Sequence, residues 1–274
     1  MIRDTTSLQV ERLRVGYHRR TVIRDLTLAP FHSGEITALI GPNATGKTTL
    51  LRALAGLQPA KGALYLGGDN LLSLPGSAHA ARVTYMPQSL PPRVALTVFE
   101  ATLSALKVAP GARQPAQQSH IQVMETLQRL GIDDLAHRPL TELSGGQRQL
   151  ASLAQSVVRE PTVLLLDEPT SALDLNYQFR VMNLVRALVR ERGIIAVVVL
   201  HDIALASRWC DRVVVLSDGA VVADGPPATA VTADTLAQVY GVRARVLGDA
   251  QDDALQVIVE DVLDTGDATG QPSR

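Results

Sequence analysis

The segment GPNATGKTT at residues 41–49 constrains this chain more than any other part of the sequence. The apolar run before it, residues 35–40, indicates a buried strand, and leucines with helical spacing follow over residues 47–57. In that context the two glycines let successive backbone N–H groups face a phosphate, beside the positive end of the helix. Lys47 adds a full charge for the β- and γ-phosphates, and Thr48 supplies a hydroxyl for Mg²⁺. The spacing therefore predicts a phosphate-binding loop rather than an incidental glycine turn with a surface lysine.

Two further apolar runs end in residues that carry chemistry. Residues 162–166 lead into Asp167 and Glu168, and residues 194–200 lead into His201. Ligands of open parallel sheets bind outside the carboxyl ends of the strands, so these side chains are predicted to lie near the phosphate loop. Asp167 would then bind the metal, Glu168 would orient or deprotonate the attacking water, and His201 would contact the γ-phosphate. The alternatives are an ordinary strand end for the acidic pair and a structural role for the histidine.

Composition limits the class of protein. The chain has 274 residues, enough for one large domain or two small ones with a real core. Its formal net charge of −1 argues against a general nucleic-acid binder, so no nucleic-acid partner is expected. The single cysteine, Cys210, excludes an intrachain disulfide and fits a reducing compartment such as the cytoplasm. The charged N-terminus does not resemble a signal peptide, and the longest aliphatic run, 194–200, is too short to cross a membrane.

The remaining patterns predict an α/β fold with a helical middle. Period-2 stretches over 8–15 and 22–28 indicate an antiparallel β piece near the N-terminus. Helical spacing predicts helices at 96–109, 117–130, 144–159, 177–192 and 232–240. A hairpin is predicted over 212–223, and a last alternating stretch over 255–262 precedes a polar end that is expected to be disordered. These elements divide the chain into a main domain, 1–245, and a C-terminal extension, 246–274, with a helical subdomain inserted at about 92–158.

A fourth motif, LSGGQ at residues 143–147, precedes one of these helices. Ser144 is a good N-cap, and the two glycines after it could let an anion approach bare N–H groups. By itself the motif also fits a simple cap followed by a glycine turn. Taken with GPNATGKTT, VLLLDEP and the later histidine, however, LSGGQ resembles the signature of the ATP-binding-cassette (ABC) ATPases. The resemblance runs from about residue 8 to residue 245, with every motif in the family's order.

This resemblance implies a fold, two cofactors and further site residues. The fold would be a P-loop NTPase (RecA-like) core with an N-terminal antiparallel β subdomain and an inserted helical subdomain, and the cofactors would be ATP and Mg²⁺. Tyr17 resembles the aromatic residue that stacks on adenine, although a tyrosine in a hairpin turn is the alternative. Gln88 resembles the glutamine that contacts Mg²⁺ where the helical subdomain meets the transporter. Asp174 resembles the loop residue that communicates across a dimer.

The implied site residues fall into three groups. The nucleotide would be bound by Tyr17, Gly41, Pro42, Asn43, Ala44, Thr45, Gly46, Lys47, Thr48 and Thr49, and from a second copy by Ser144, Gly145, Gly146 and Gln147. The metal would be held by Thr48, Gln88 and Asp167. The catalytic residues would be Glu168, His201, Gln88 and Asp174.

One residue departs from the family's pattern. Ala44 stands where many relatives carry glycine, whereas Gly41 and Gly46 are retained. If position 44 requires a positive φ, alanine costs on the order of 1 kcal/mol there. We therefore expect a slightly strained loop that still binds phosphate.

The resemblance also indicates which kind of ABC protein this is. One set of motifs, no membrane-spanning run and no long heptad arms favour a stand-alone subunit that docks on membrane permease subunits at the cytoplasmic face of the membrane. Two copies would pair head to tail and act indirectly with a substrate-binding protein. The pattern HD-x-x-x-A-x-R-x-x-D-R from His201, together with VYGV at 239–242, resembles ATPases of iron-siderophore, haem and cobalamin importers.

Iron-siderophore import is the expected function on these cues. Haem, cobalamin and metal-ion import stay open, because the transported ligand never touches this subunit. The rival from another class is a soluble ABC ATPase that acts on nucleic acid or protein complexes.

Overall fold

The chain forms three β-sheets and nine α-helices within the residues that a computed structural model describes, namely 6–17, 20–88, 95–108, 115–171, 173–249 and 252–263. The strands are β1 (Ser7–Tyr17), β2 (Arg20–His32), β3 (Ile36–Ile40), β4 (Ala60–Leu66), β5 (Asp69–Asn70), β6 (Val83–Met86), β7 (Val163–Asp167), β8 (Ile195–Val199), β9 (Arg212–Ser217), β10 (Ala220–Gly225), β11 (Val242–Asp249) and β12 (Asp252–Val262). The helices are α1 (Lys47–Leu54), α2 (Gly76–Arg82), α3 (Val98–Lys107), α4 (Ala116–Arg129), α5 (Gly145–Val157), α6 (Leu175–Arg192), α7 (Ile203–Trp209), α8 (Pro227–Ala230) and α9 (Ala233–Tyr240).

The central sheet has six strands in the order β10-β9-β3-β8-β7-β6. Its strands are parallel except for β10, which pairs antiparallel with β9 at one edge. Every residue of β3, β7 and β8 is buried, which confirms the three buried strands predicted from the sequence. Alternate residues of these strands belong to different apolar clusters, so both faces of the sheet are covered. Because β3, β8 and β7 are neighbours, the residues that follow them meet at one edge.

The N-terminal sheet has the order β2-β1-β4-β5, and β1 pairs antiparallel with both of its neighbours. This confirms the predicted antiparallel piece, in which Tyr17 lies opposite Arg20 at the end of the β1–β2 ladder. Strands β4 and β5 and helix α2 were not predicted. Glycines at 62, 67 and 68 interrupt the period-2 pattern there, and Gly62 is needed because an added Cβ would lie 2.5 Å from the Arg12 carbonyl oxygen.

The helical part contains α3, α4 and α5, and α3 packs against both of the others. Helix α3 begins at Val98, two residues later than predicted, because Thr97 and Glu100 form a capping box that fixes its start. The segment between α3 and α4 lies largely outside the described residues. In the described part of the chain, no helix combines the length and the apolar character needed to span a bilayer.

The C-terminal part holds an element that the sequence analysis missed. Strand β11 pairs antiparallel with β12, and this hairpin packs on α7 and α9. The predicted domain boundary at 245/246 falls inside β11, so the hairpin starts at Val242, before the boundary. Strand β11 was missed although residues 242–246 alternate apolar and charged side chains, the pattern of a half-buried strand. The polar end expected to be disordered, 264–274, lies outside the described residues.

Candidate functional site

Residues of the predicted phosphate loop, Glu168 and His201 border one cleft of about 310 Å³ at the carboxyl ends of β3, β7 and β8, whereas Asp167, the other member of the acidic pair, is not among its lining residues. Its lining residues are Tyr17, Arg20, Val22, Asn43, Ala44, Gly46, Lys47, Thr48, Thr49, Glu168 and His201. Most of the residues assigned to nucleotide binding in one chain therefore surround one space.

The loop between β3 and α1 has the backbone of an anion cradle. Gly41 has a φ of 143° and lies so close to β9 that an added Cβ would be 2.1 Å from the Leu216 carbonyl oxygen. Gly46 caps α1 at a φ of 104° without any side-chain hydrogen bond, so no side chain occupies the first N–H groups of the helix. Ala44 has a φ of 63°, the positive value that the sequence analysis treated as a condition for strain.

Lys47 is buried although it carries a charge, with 5% of its surface exposed. Its Nζ atom donates hydrogen bonds to the carbonyl oxygens of Gly41 and Pro42, both at 2.7 Å. Burial lowers the pKa of Lys47, and the nearby carboxylates of Glu168 and Asp167 oppose that effect. The lysine thus ties the start of the loop to the start of α1 and holds its charge at the base of the cleft.

Asp167 lies beside the lysine and has 3% of its surface exposed. Its carboxylate accepts hydrogen bonds from the Thr48 hydroxyl at 3.1 Å and from the Tyr85 hydroxyl at 2.8 Å. Burial raises the pKa of Asp167, while these two hydrogen bonds lower it. A buried carboxylate next to a hydroxyl fits Mg²⁺, which prefers oxygen ligands. Thr48, Asp167 and the side-chain oxygen of Gln88 are the groups here that could hold this ion.

Glu168 stands in the left-handed region, with a φ of 51°, and two side chains hold its carboxylate. The Gln88 side-chain amide donates to Oε2 at 2.5 Å, and His201 Nε2 lies 2.5 Å from Oε1. A carboxylate fixed in this way at the wall of the cleft can orient and deprotonate a water molecule. His201 lines the same cleft, where it can also reach a terminal phosphate.

Tyr17 lies at the mouth of the cleft, and 39% of its surface is exposed. Its hydroxyl is 3.5 Å from the Thr49 hydroxyl, which joins it loosely to the first turn of α1. An exposed aromatic ring above a phosphate loop offers a stacking surface for a base. The position suits the adenine contact expected of it.

The signature residues and Asp174 do not line this cleft. Ser144 caps α5 in a capping box with Gln147, so this motif has the helix-capping role expected of Ser144. Gly145 has no atom within 4 Å of an added Cβ, whereas a Cβ on Gly146 would lie 2.6 Å from the Tyr177 ring. Asp174 caps α6 by accepting a hydrogen bond from the Tyr177 N–H at 2.9 Å.

Three site residues were missed by the sequence analysis. Tyr85, on β6, binds Asp167, and its place two residues before the strand-end Pro87-Gln88 pair could have pointed to it. Tyr240 lies near the backbone of Gly41, and burial raises its pKa to about 12. Arg20 lines the cleft opposite Tyr17. No local sequence pattern marks Tyr240, because its contact joins residues 199 positions apart.

Comparison with known sequences agrees with the geometry. The profile of the ABC transporter family matches residues 25–171. The chain is 36% identical over 258 residues to FepC, the ferric enterobactin transport ATP-binding protein of Escherichia coli K12, covering 91% of this chain and 92% of FepC. It is 34% identical to CbrD, the achromobactin transport ATP-binding protein of Dickeya dadantii, covering 89% and 91% of the two chains. It is also 34% identical to HmuV, the hemin import ATP-binding protein of Vibrio anguillarum, covering 88% and 94%.

Solved structures show the same fold. A chain of an ABC transporter described as of metal-chelate type, in an inward-facing conformation, superposes with a TM-score of 0.79, at 24% identity, over 95% of this chain and 99% of that chain. The structure of cbiO1 from Clostridium perfringens, described as part of the ABC transporter complex cbiONQ, matches with a TM-score of 0.72 at 28% identity, over 82% and 90%. The P-loop NTPase fold expected from the sequence is thereby confirmed. The chain belongs to the ABC transporter family and is an ATP-binding, ATP-hydrolysing subunit of its importer group.

Proposed function

We propose that this chain energises the import of iron-siderophore complexes, as a peripheral subunit at the cytoplasmic face of the cell membrane. The observation that carries the proposal is its similarity to FepC and CbrD, both siderophore transport ATP-binding proteins, over about nine-tenths of each chain. The pattern that starts at His201 and the VYGV segment at 239–242 agree with it. The work of the subunit is ATP hydrolysis, and a permease would select the ligand.

Two copies of the chain would pair head to tail, with ATP between the cleft of one copy and the signature residues of the other. Two features support this arrangement. Ser144, Gly145, Gly146 and Gln147 lie outside the cleft of their own chain, and Gly145 leaves open space before the first N–H groups of α5. Asp174, at the start of α6, would contact the second copy.

Hydrolysis would use the side chains that surround the phosphate end of the cleft. Mg²⁺, held by Thr48, Asp167 and Gln88, would neutralise charge on the phosphate oxygens when bound. Glu168 would take a proton from the attacking water, and His201 would hold the carboxylate in place and reach the γ-phosphate. Lys47 would stabilise the charge on the β- and γ-phosphates.

Closure of the two copies would then be passed to a pair of membrane permease subunits. The helical subdomain at about 92–158 is the part that would move, with Gln88 at its edge in contact with Glu168. ATP can drive this change only if the closed pair binds it more tightly than the open pair does. A substrate-binding protein would deliver the ligand on the far side of the membrane.

Haem and cobalamin import are the alternatives among transport functions. The similarity to HmuV supports haem import. Cobalamin import is supported by the similarity to BtuD, a cobalamin import ATP-binding protein of Halobacterium salinarum, which is 35% identical over 264 residues. The match to BtuD covers 94% of this chain but only 63% of BtuD. A soluble ATPase without a transport role is the alternative of another class, and stimulation of hydrolysis by DNA or RNA would favour it.

The test is uptake of a radiolabelled ferric siderophore by cells whose sole copy of this protein is the parent, Glu168→Gln or Glu11→Gln. Glu11 is exposed on β1, away from the cleft, and serves as the matched control. We expect the Glu168 variant to lose siderophore uptake while uptake of haem and cobalamin stays normal. Unchanged siderophore uptake would overturn the proposed ligand, and loss of haem or cobalamin uptake in its place would identify the alternative.

A further inference from the structure

Arg20 occupies a position from which it can reach a nucleotide held in the cleft. It lies directly opposite Tyr17 in the β1–β2 ladder. Residues directly opposite each other on antiparallel strands project from the same face of the sheet. Arg20 therefore shares a face with the ring expected to stack on adenine, and its side chain is among those that line the cleft.

The guanidinium of Arg20 is not engaged by any described residue. Within the described parts of the chain, Arg20 makes no side-chain hydrogen bond and no ion pair, and it is exposed. Neighbouring arginines are engaged differently. Arg12 pairs with Asp25 at 3.7 Å, and Arg14 Nε donates to the Arg24 carbonyl oxygen at 2.9 Å. A long, unpaired cation at the wall of an anion-binding cleft is free to move onto a ligand.

The basic residues that line the cleft are few. Apart from Lys47, Arg20 is the permanently charged basic residue among the described lining residues. The Lys47 amine is already bonded to two carbonyl oxygens, and the carboxylates of Asp167 and Glu168 lie near it. A nucleoside triphosphate brings further negative charge into this space, and a guanidinium can bind phosphate oxygens through two parallel hydrogen bonds.

Further charged residues surround Arg20. A second cavity, of about 690 Å³, adjoins the cleft and shares Arg20, Val22 and Ala44 with it. Arg14, Arg24 and one acidic residue, Asp218, line this second cavity but not the cleft. The three arginines thus form one basic wall, of which Arg20 is the member that reaches the cleft.

We infer that Arg20 binds the phosphate chain of the nucleotide whose adenine ring lies on Tyr17, and so positions it between the aromatic ring and Lys47. The inference rests on the adenine contact proposed for Tyr17. It does not depend on which ligand is transported. Arg20 is thus a binding residue for the ATP hydrolysis that this family performs.

The test is displacement of a fluorescent ATP analogue by ATP, ADP and adenosine, measured on the purified parent, Arg20→Gln, Arg20→Lys and Arg24→Gln. Arg24 is the matched control, because it lines the second cavity only. We expect Arg20→Gln to bind ATP and ADP about five- to tenfold more weakly, with the affinity for adenosine unchanged. Arg20→Lys should keep most of the affinity, since it retains a charge, and Arg24→Gln should match the parent. The parent's affinity should also fall more steeply with added salt than that of Arg20→Gln.

Three results would overturn the inference. Unchanged affinity for ATP and ADP in Arg20→Gln would show that no contact forms. An equal loss in Arg24→Gln would assign the effect to the long-range field of the basic wall. An equal loss for adenosine would mean that the variant displaces Tyr17 instead. Lys47→Ala, measured beside them, reports separately on the phosphate loop itself.

Discussion

The Nε2 atom of His201 lies 2.5 Å from Oε1 of Glu168, and the Gln88 amide holds the other oxygen of the same carboxylate. The carboxylate side chain is largely covered, at 14% exposure, while His201 is 45% exposed. Glu168 is therefore oriented by two residues from neighbouring segments, one after β8 and one after β6. The arrangement predicts that the carboxylate acts in hydrolysis and contributes little to nucleotide binding.

Glu168→Gln should bind ATP with near-parental affinity and hydrolyse it at least 100-fold more slowly. The amide keeps the shape and one acceptor of the carboxylate but cannot take a proton from water, and general bases typically contribute a factor of about 10²–10⁴. Phosphate release at saturating ATP measures the rate. Because unhydrolysed ATP would stay bound between two copies, we also expect a dimer of this variant in size-exclusion chromatography with ATP. Turnover at the parental rate would mean that another residue is the base.

Lys47→Ala should abolish ATP binding. The variant loses the charge at the base of the cleft and the two hydrogen bonds that tie the loop to α1. Lys61→Ala, on β4, is the control because this lysine is exposed and does not line the cleft. Calorimetric titration with ATP measures both variants. Near-normal affinity in Lys47→Ala would contradict the assignment of the phosphate loop.

Much of the fold and of the cleft could be predicted from the sequence because the signals are local. The buried strands β3, β7 and β8 are short apolar runs, and a residue of the cleft follows each of them within three positions. The residues that follow these strands are then expected to lie together, because ligands bind at the carboxyl ends of parallel strands. The Ser144 cap was also predictable, because the capping box is a four-residue pattern.

The rest depends on contacts between distant residues. Tyr85 binds Asp167 across 82 positions, and Arg20 enters the cleft because the β1–β2 register places it opposite Tyr17. The short strands β4 and β5 are held by pairing with β1 and with each other, and their own sequence is broken by glycine. A one-residue change in strand register would move Arg20 to the other face, and no property of residue 20 alone reveals that register.

Tyr85→Phe should raise the Mg²⁺ concentration needed for half-maximal hydrolysis by about two- to fivefold. The hydroxyl donates to Asp167 at 2.8 Å and stabilises its charged form, so its loss leaves a buried carboxylate with one fewer donor. The free energy of unfolding should fall by about 1 kcal/mol for the same reason. Tyr65→Phe, on β4, is the matched control. Hydrolysis titrated with Mg²⁺ and urea denaturation give the two quantities. An unchanged Mg²⁺ requirement would argue against Asp167 as a metal ligand.

Ala44→Gly should stabilise the folded chain slightly and leave ATP affinity within about twofold of the parent. At a φ of 63° the Cβ of alanine destabilises the folded state by about 1–2 kcal/mol. Glycine removes this strain, but the greater conformational freedom of its unfolded chain lowers the free energy of unfolding by about 0.4–1 kcal/mol. The two effects have opposite signs, so the free energy of unfolding should rise by about 0.5 kcal/mol. Ala78→Gly, inside α2, should instead lower it by about 1 kcal/mol, because glycine there replaces alanine in a helix. Urea denaturation of both variants measures the difference. If Ala44→Gly destabilised the chain as much as Ala78→Gly does, position 44 would not be strained in solution.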